Sequence, residues 1–128
     1  RYPSVAGTPK AAAVGHIDLD GRPDLVLSSE NSSGERRGIV WLRSPASPFE
    51  AEWDAFDVSG REGRKFDMNL LLDVDGDGDL DILNTEEHDN AAGGNSGLGL
   101  VWYETRRGRP PRVVRLRDGD ACRGTTGR

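Results

Sequence analysis

The stretch Asp73-Val74-Asp75-Gly76-Asp77-Gly78-Asp79-Leu80-Asp81 places five carboxylates within nine residues, on alternate positions, with glycine at the fourth and sixth. Two carboxylates about 4 Å apart repel by roughly 4 kcal/mol at an effective dielectric near 20, so a tight loop of this composition is strained unless a cation sits in it. A hard divalent ion fits best. Calcium takes six to eight oxygens, and alternate residues of a glycine-bearing turn can aim several carboxylates inward. The spacing proposes the carboxylates of Asp73, Asp75, Asp77 and Asp81 as ligands, with the backbone carbonyl of Asp79 and water completing the shell. No His or Cys joins the cluster, which argues against a transition metal.

The flanks decide what holds the loop. An EF-hand opens on the same spacing but needs an acidic ligand at its twelfth position and a helix on either side. Position twelve is Asn84, and both Met68 to Leu72 and Leu80 to Leu83 read as strands, so the loop belongs in a β-hairpin.

The stretch has an earlier copy. His16-Ile17-Asp18-Leu19-Asp20-Gly21-Arg22-Pro23-Asp24-Leu25-Val26-Leu27 aligns with Asp73 to Asn84 at an offset of 57, and Gly38-Ile39-Val40-Trp41-Leu42 aligns with Gly99-Leu100-Val101-Trp102-Tyr103 at an offset of 61. In this copy His16 replaces the first aspartate, a poor exchange for calcium. Asp18, Asp20 and Asp24 remain, with Arg22 at the carbonyl position. This turn either binds a cation weakly or survives as structure alone, and the second reading is preferred.

Strands are expected near 11–17, 24–29, 38–43 and 53–58, then 68–73, 80–85, 98–104 and 111–117, four to a copy. Leu25-Val26-Leu27, Ile39-Val40-Trp41-Leu42 and Leu70-Leu71-Leu72 are continuously apolar, so both faces of these strands expect cover. No window of helical length keeps a 3.6-residue apolar period free of Gly or Pro. The expected fold is all-β, in two four-stranded antiparallel units, with one unit in 1–60, a second in 61–119 and a disordered tail at 120–128.

Composition agrees. Of 128 residues 34% are apolar and 30% charged, with 17 Gly and 7 Pro, which excludes a helical bundle. Residues 1–105 carry 9 Lys and Arg against 20 Asp and Glu, a net of −11, whereas residues 106–128 carry 8 Arg against 2 Asp, a net of +6. The basic tail lacks interleaved aromatics and adjoins an acidic body, so nucleic acid is not the expected partner. No run approaches a membrane span, and the single Cys122 makes no internal disulfide.

With the residues in view, Val14 to Val26 and Leu72 to Leu83, each followed by a Gly-x-Val-Trp strand, resemble FG-GAP/VCBS repeats over roughly residues 10 to 105. The resemblance implies blades of a calcium-binding β-propeller, often seven-bladed, of which this chain would be a fragment of about two, with further blades of the same or another chain as its partners. It implies a calcium site at Asp73, Asp75, Asp77, Asp79 and Asp81, with a vestigial counterpart at Asp18, Asp20, Arg22 and Asp24. It also implies an extracellular, cell-surface or periplasmic setting and a structural or binding role without catalysis.

Other chemistry is weaker. The loops at 30–37 and 86–97 would share one rim and could contact a protein or glycan, and Trp53 is the best candidate for an exposed aromatic. An adhesin is therefore one alternative. A hydrolase or lyase using Glu86, Glu87 and His88 is another, though neighbouring polar residues in a glycine-rich loop are usually just solvated, and no nucleophile elbow, Walker loop or dinucleotide fingerprint occurs. Trp41 and Trp102 recur in register and read as packing residues. Asn31-Ser32-Ser33 fits a glycosylation sequon, relevant only in a eukaryotic secretory pathway.

Overall fold

A computed structural model describes residues 5–61, 63–88, 97–106 and 109–114. Eight strands form two antiparallel four-stranded sheets, and no helix occurs among the described residues. The first sheet runs in sequence order through β1 (Thr8–Gly15), β2 (Asp24–Glu30), β3 (Ile39–Arg43) and β4 (Asp54–Asp57). The second runs likewise through β5 (Phe66–Leu72), β6 (Asp81–Glu86), β7 (Gly99–Arg106) and β8 (Arg109–Val114). The arginine-rich segment from 115 onward and the expected tail at 120–128 lie outside the described residues.

Five strands lie close to their expected positions, while β1, β5 and β8 begin two or three residues early. The early starts of β1 and β5 have one cause. The β1–β2 pairing shifts between Pro9 and Ala11, and the β5–β6 pairing shifts at the equivalent place between Phe66 and Asn69. A bulge at Lys10 and its counterpart Asp67 lets pairing continue past the break.

Side chains alternate across each sheet, giving two distinct faces. In the first sheet one face carries Ala13, Val26, Trp41 and Phe56, paired in register from strand to strand. It packs on the second-sheet face that carries Leu71, Ile82 and Tyr103. Val26, Ile39, Phe66 and Ile82 are wholly buried in this core. The backbones approach closely. A Cβ on Gly38 would lie 2.0 Å from the Phe66 ring, and one on Gly15 would lie 2.7 Å from Leu71. Hydrogen bonds cross the contact: Ser28 Oγ donates to the Asp67 carbonyl (3.1 Å), and Asn69 Nδ2 donates to the Val26 carbonyl (3.1 Å).

The expectation of cover on both faces holds for β3, whose Ile39, Val40, Trp41 and Leu42 are all buried. It does not hold for β5. Leu71 is packed, but Leu70 and Leu72 remain 52% and 49% exposed because the outer face of the second sheet has no neighbour among the described residues.

Trp41 stacks on Phe56 with centroids 4.7 Å apart, as a packing residue should. Trp53 is half-buried against the smaller cluster of Ala6, Val40 and Leu42, so it is a less open aromatic than its sequence setting promised.

Candidate metal centre

The Asp73–Asp81 segment joins β5 to β6 as a tight turn whose shape is held by its own carboxylates. Asp73 Oδ1 accepts from the amides of Gly76 (2.8 Å) and Asp77 (3.1 Å), and its Oδ2 accepts from Gly78 (3.0 Å). Asp75 Oδ1 accepts from Asp77 N, and Asp77 Oδ1 from Asp79 N, each bridging two residues as an Asx turn. Gly76 and Gly78 take φ values of 77° and 94°, which reverse the chain where a side chain would be strained.

Unlike Asp73, Asp75 and Asp77, and alongside the nearly buried Asp79, Asp81 is fully buried. Its Oδ2 accepts from Val74 N (3.0 Å) and its Oδ1 from Thr105 N (2.9 Å), so one carboxylate ties the end of β5 to the end of β7. Thr105 Oγ1 adds a bond to the Leu80 carbonyl (2.7 Å).

One oxygen each from Asp73, Asp75 and Asp81 lies within 4.8 Å of the other two, a group that could hold a metal ion. Two oxygens that share a calcium ion at 2.3–2.6 Å lie no more than about twice that apart, so the spacing is compatible with one cation between them. Asp75 Oδ1, Asp73 Oδ2 and both Asp81 oxygens each accept one amide and keep a further lone pair, whereas Asp73 Oδ1 already accepts two. The structure brings these three of the five expected ligands together and leaves the carboxylates of Asp77 and Asp79 outside the group. The Asp75 carboxyl is held above the usual aspartate range, first by desolvation and then by the charges of Asp77 and Asp81, against the lowering effect of its amide bond. No Lys or Arg side chain among the described residues forms an ion pair with Asp73, Asp75 or Asp81.

The earlier turn reproduces this backbone with other charges. Asp24 is buried and accepts from Ile17 N (3.3 Å) and Ser44 N (2.9 Å), the counterparts of Val74 and Thr105. Asp18 Oδ1 accepts from Asp20 N, and Asp20 Oδ1 from Arg22 N. Leu19 and Gly21 hold φ at 59° and 87°, as Gly76 and Gly78 do, although Leu19 pays a steric cost of roughly 1–2 kcal/mol there. What changes is the counter-charge. Arg43 Nε lies 2.7 Å from Asp18 Oδ2, and Arg22 pairs with Asp20 while donating through Nε to the Ser44 carbonyl (3.3 Å). Asp20 accordingly sits below the usual aspartate range, chiefly through the Arg22 amide and helped by the Arg22 and Arg43 charges.

Sequence reasoning had Arg22 only as a carbonyl donor and missed Arg43, Ser44 and Thr105. The repeat carried a signal for the last two, since Ser44 falls on Thr105 at the offset of 61.

The Glu86, Glu87 and His88 cluster is divided. Glu86 is buried, with its carboxylate accepting from the amides of Arg64 (2.6 Å), Lys65 (3.2 Å) and Leu98 (2.5 Å) and lying 2.8 Å from His88 Nδ1. Burial works to raise its pKa, but the bonds from Leu98, Arg64, His88 and Lys65 outweigh it and hold the carboxyl below the usual glutamate range. Glu87 points elsewhere and pairs with Lys65. The neighbouring segment 89–96 of the expected contact loop lies outside the described residues.

Among protein families, curated proteins and solved structures alike, no match to this chain is found.

Proposed function

We propose that the chain is a calcium-binding repeat module of an exported β-propeller, a scaffold stabilised by a cation in the Asp73–Asp81 turn. One observation carries the reading. Three carboxylates converge within 4.8 Å in the second turn with no basic side chain among the described residues paired to them, whereas the same backbone in the first turn has Arg22 and Arg43 against its aspartates. That difference is what a turn balanced by a cation from solution would show. The donor set is all oxygen, which favours calcium over zinc or copper. Asp77 and the carbonyl of Asp79 would complete the shell with water.

In this role the ion fixes the hairpin between β5 and β6 and, through Asp81, the end of β7. Binding stabilises the fold by an amount that grows with the logarithm of calcium concentration over its dissociation constant. Partners, protein or glycan, would meet the 30–37 and 86–97 loops. Catalysis is not part of the reading, because Glu86 is committed to three backbone amides and Glu87 to Lys65.

Thermal unfolding tests it. The midpoint should rise with calcium, fall with chelator and lose this response in Asp73→Ala. A calcium-independent midpoint overturns the proposal.

A further inference from the structure

The repeat offset lets the two faces of each sheet be compared position by position. The first-sheet face buried against the second sheet contains Ala11, Ala13 and Gly15 on β1, Val26 on β2, and Ile39 and Trp41 on β3. Their counterparts are Met68, Leu70, Leu72, Leu83, Leu100 and Trp102 on the outer face of the second sheet. There Met68, Leu70, Leu72 and Leu100 are 61%, 52%, 49% and 51% exposed. Of these six counterparts Met68, Leu70, Leu72 and Leu100 are open and Leu83 and Trp102 half-buried, so an apolar surface like the one with which the first sheet covers its neighbour is repeated on the second.

The complementary surface is open along β1 and covered along β3, where Val40 and Leu42, the counterparts of Val101 and Tyr103, are buried beside Ala6 and Trp53. The second sheet receives the first through Asn69, Leu71 and Ile82, whose counterparts on the outer face of the first sheet are Ala12, Val14 and Leu25. Val14 is 65% exposed and Leu25 is only partly covered.

We propose that a second copy of this chain docks head to tail, the outer face of its first sheet covering the outer face of the second sheet, in repetition of the contact inside one chain. Three observations select this occupant. The internal contact sets an alanine-rich β1 against a leucine-rich β5, and the docked contact again sets β5 against β1, with Leu72 in place of Gly15 offset by Val14 in place of Leu71. The bulge residues Lys10 and Asp67 lie 3.6 Å apart within the chain, and because each is the other's counterpart they exchange sides in the docked contact and remain opposite in charge. Ser28, which donates across the internal contact, has exposed Thr85 as its counterpart, so the hydroxyl is retained. The Asn69 bond is not retained, since Ala12 stands in its place.

Such a contact is heterologous, so it propagates from copy to copy and yields a ring or a filament, not a closed dimer. The inference does not depend on cation binding, and the experiment is run in constant excess calcium to keep the turn in one state.

Sedimentation velocity on the full chain, Leu70→Glu and Val14→Glu tests it. The unaltered chain should sediment as species larger than a dimer with rising concentration. Each variant alone should stop at a monomer, and an equimolar mixture should form a one-to-one dimer and go no further, because each variant retains the face that the other lacks. Both sites are exposed, and unfolding midpoints check that the variants stay folded; Met68→Glu and Ala12→Glu replace any that does not. A chain that stays monomeric, a Val14→Glu variant that assembles as the parent does, or a mixture that remains monomeric overturns the proposal.

Discussion

The turns at 16–24 and 73–81 have one backbone and two ways of balancing charge. In both, the ninth residue is a buried aspartate that accepts two amides from separate strand ends, and left-handed residues sit at the fourth and sixth positions. The first turn answers its remaining aspartates with Arg22 and Arg43. The second sets Asp79 at the Arg22 position and Glu104 at the Arg43 position, which adds negative charge where the first has positive. Shape and charge are therefore separable in this repeat. The buried aspartate and the amide network make the shape in both, and in the first turn Arg22 and Arg43 offset the charge.

The comparison breaks most visibly at the ninth position, where the turns should behave alike. Asp24→Ala and Asp81→Ala each strand two buried amides, at about 1–3 kcal/mol apiece, so each should lower unfolding stability by roughly 2–5 kcal/mol. Denaturant titration reads both, and a much smaller loss at either site would remove the shared clamp. The first position should separate the turns. Asp73→Ala loses the acceptor of three amides and about 1–3 kcal/mol, whereas His16→Ala, at an exposed position, should stay within about 0.5 kcal/mol of the parent.

At the third position the signs should diverge. Asp75→Asn relieves the crowding that holds this carboxyl high, so it should raise the calcium-free unfolding midpoint while weakening the response to calcium. Asp18→Asn gives up the Arg43 pair, at about 0–1 kcal/mol, and should lower the midpoint slightly. The smallest effect is on pH. Asp75, raised in the fold, favours the calcium-free native state below its unfolded value and loses that contribution as pH rises through its folded value. Asp20, lowered in the fold, contributes above its unfolded value and loses that contribution as pH falls through its folded value. Difference titrations of the Asp75→Asn and Asp20→Asn variants against the parent should therefore slope in opposite directions.

Much of this was legible because the repeat states each element twice. Apolar runs bounded by Gly, Pro and Asp mark strands, so eight strands and their grouping by four could be read directly. The early starts of β1 and β5 could not, because a bulge at Lys10 or Asp67 leaves no trace in apolar spacing. Leu70 to Leu72 read as a strand covered on both sides, since composition reports what a face can bury and not what lies beside it. The carboxylate group at Asp73, Asp75 and Asp81 followed from spacing. The role of Arg43 did not, as it meets Asp18 only after β2 and β3 have paired. Glu86 read as a solvated loop acid and is instead a buried clamp on residues 64, 65 and 98. Local sequence does not distinguish these fates.

The central claim, that one turn takes its cation from solution and the other from the chain, is tested most directly by calorimetric titration of calcium. The parent chain and Asp18→Ala should each bind a single ion, Asp73→Ala should bind none, and His16→Asp combined with Arg22→Asp and Arg43→Glu should bind two. A parent that binds no calcium, or an Asp73→Ala variant that still binds it, would contradict the account.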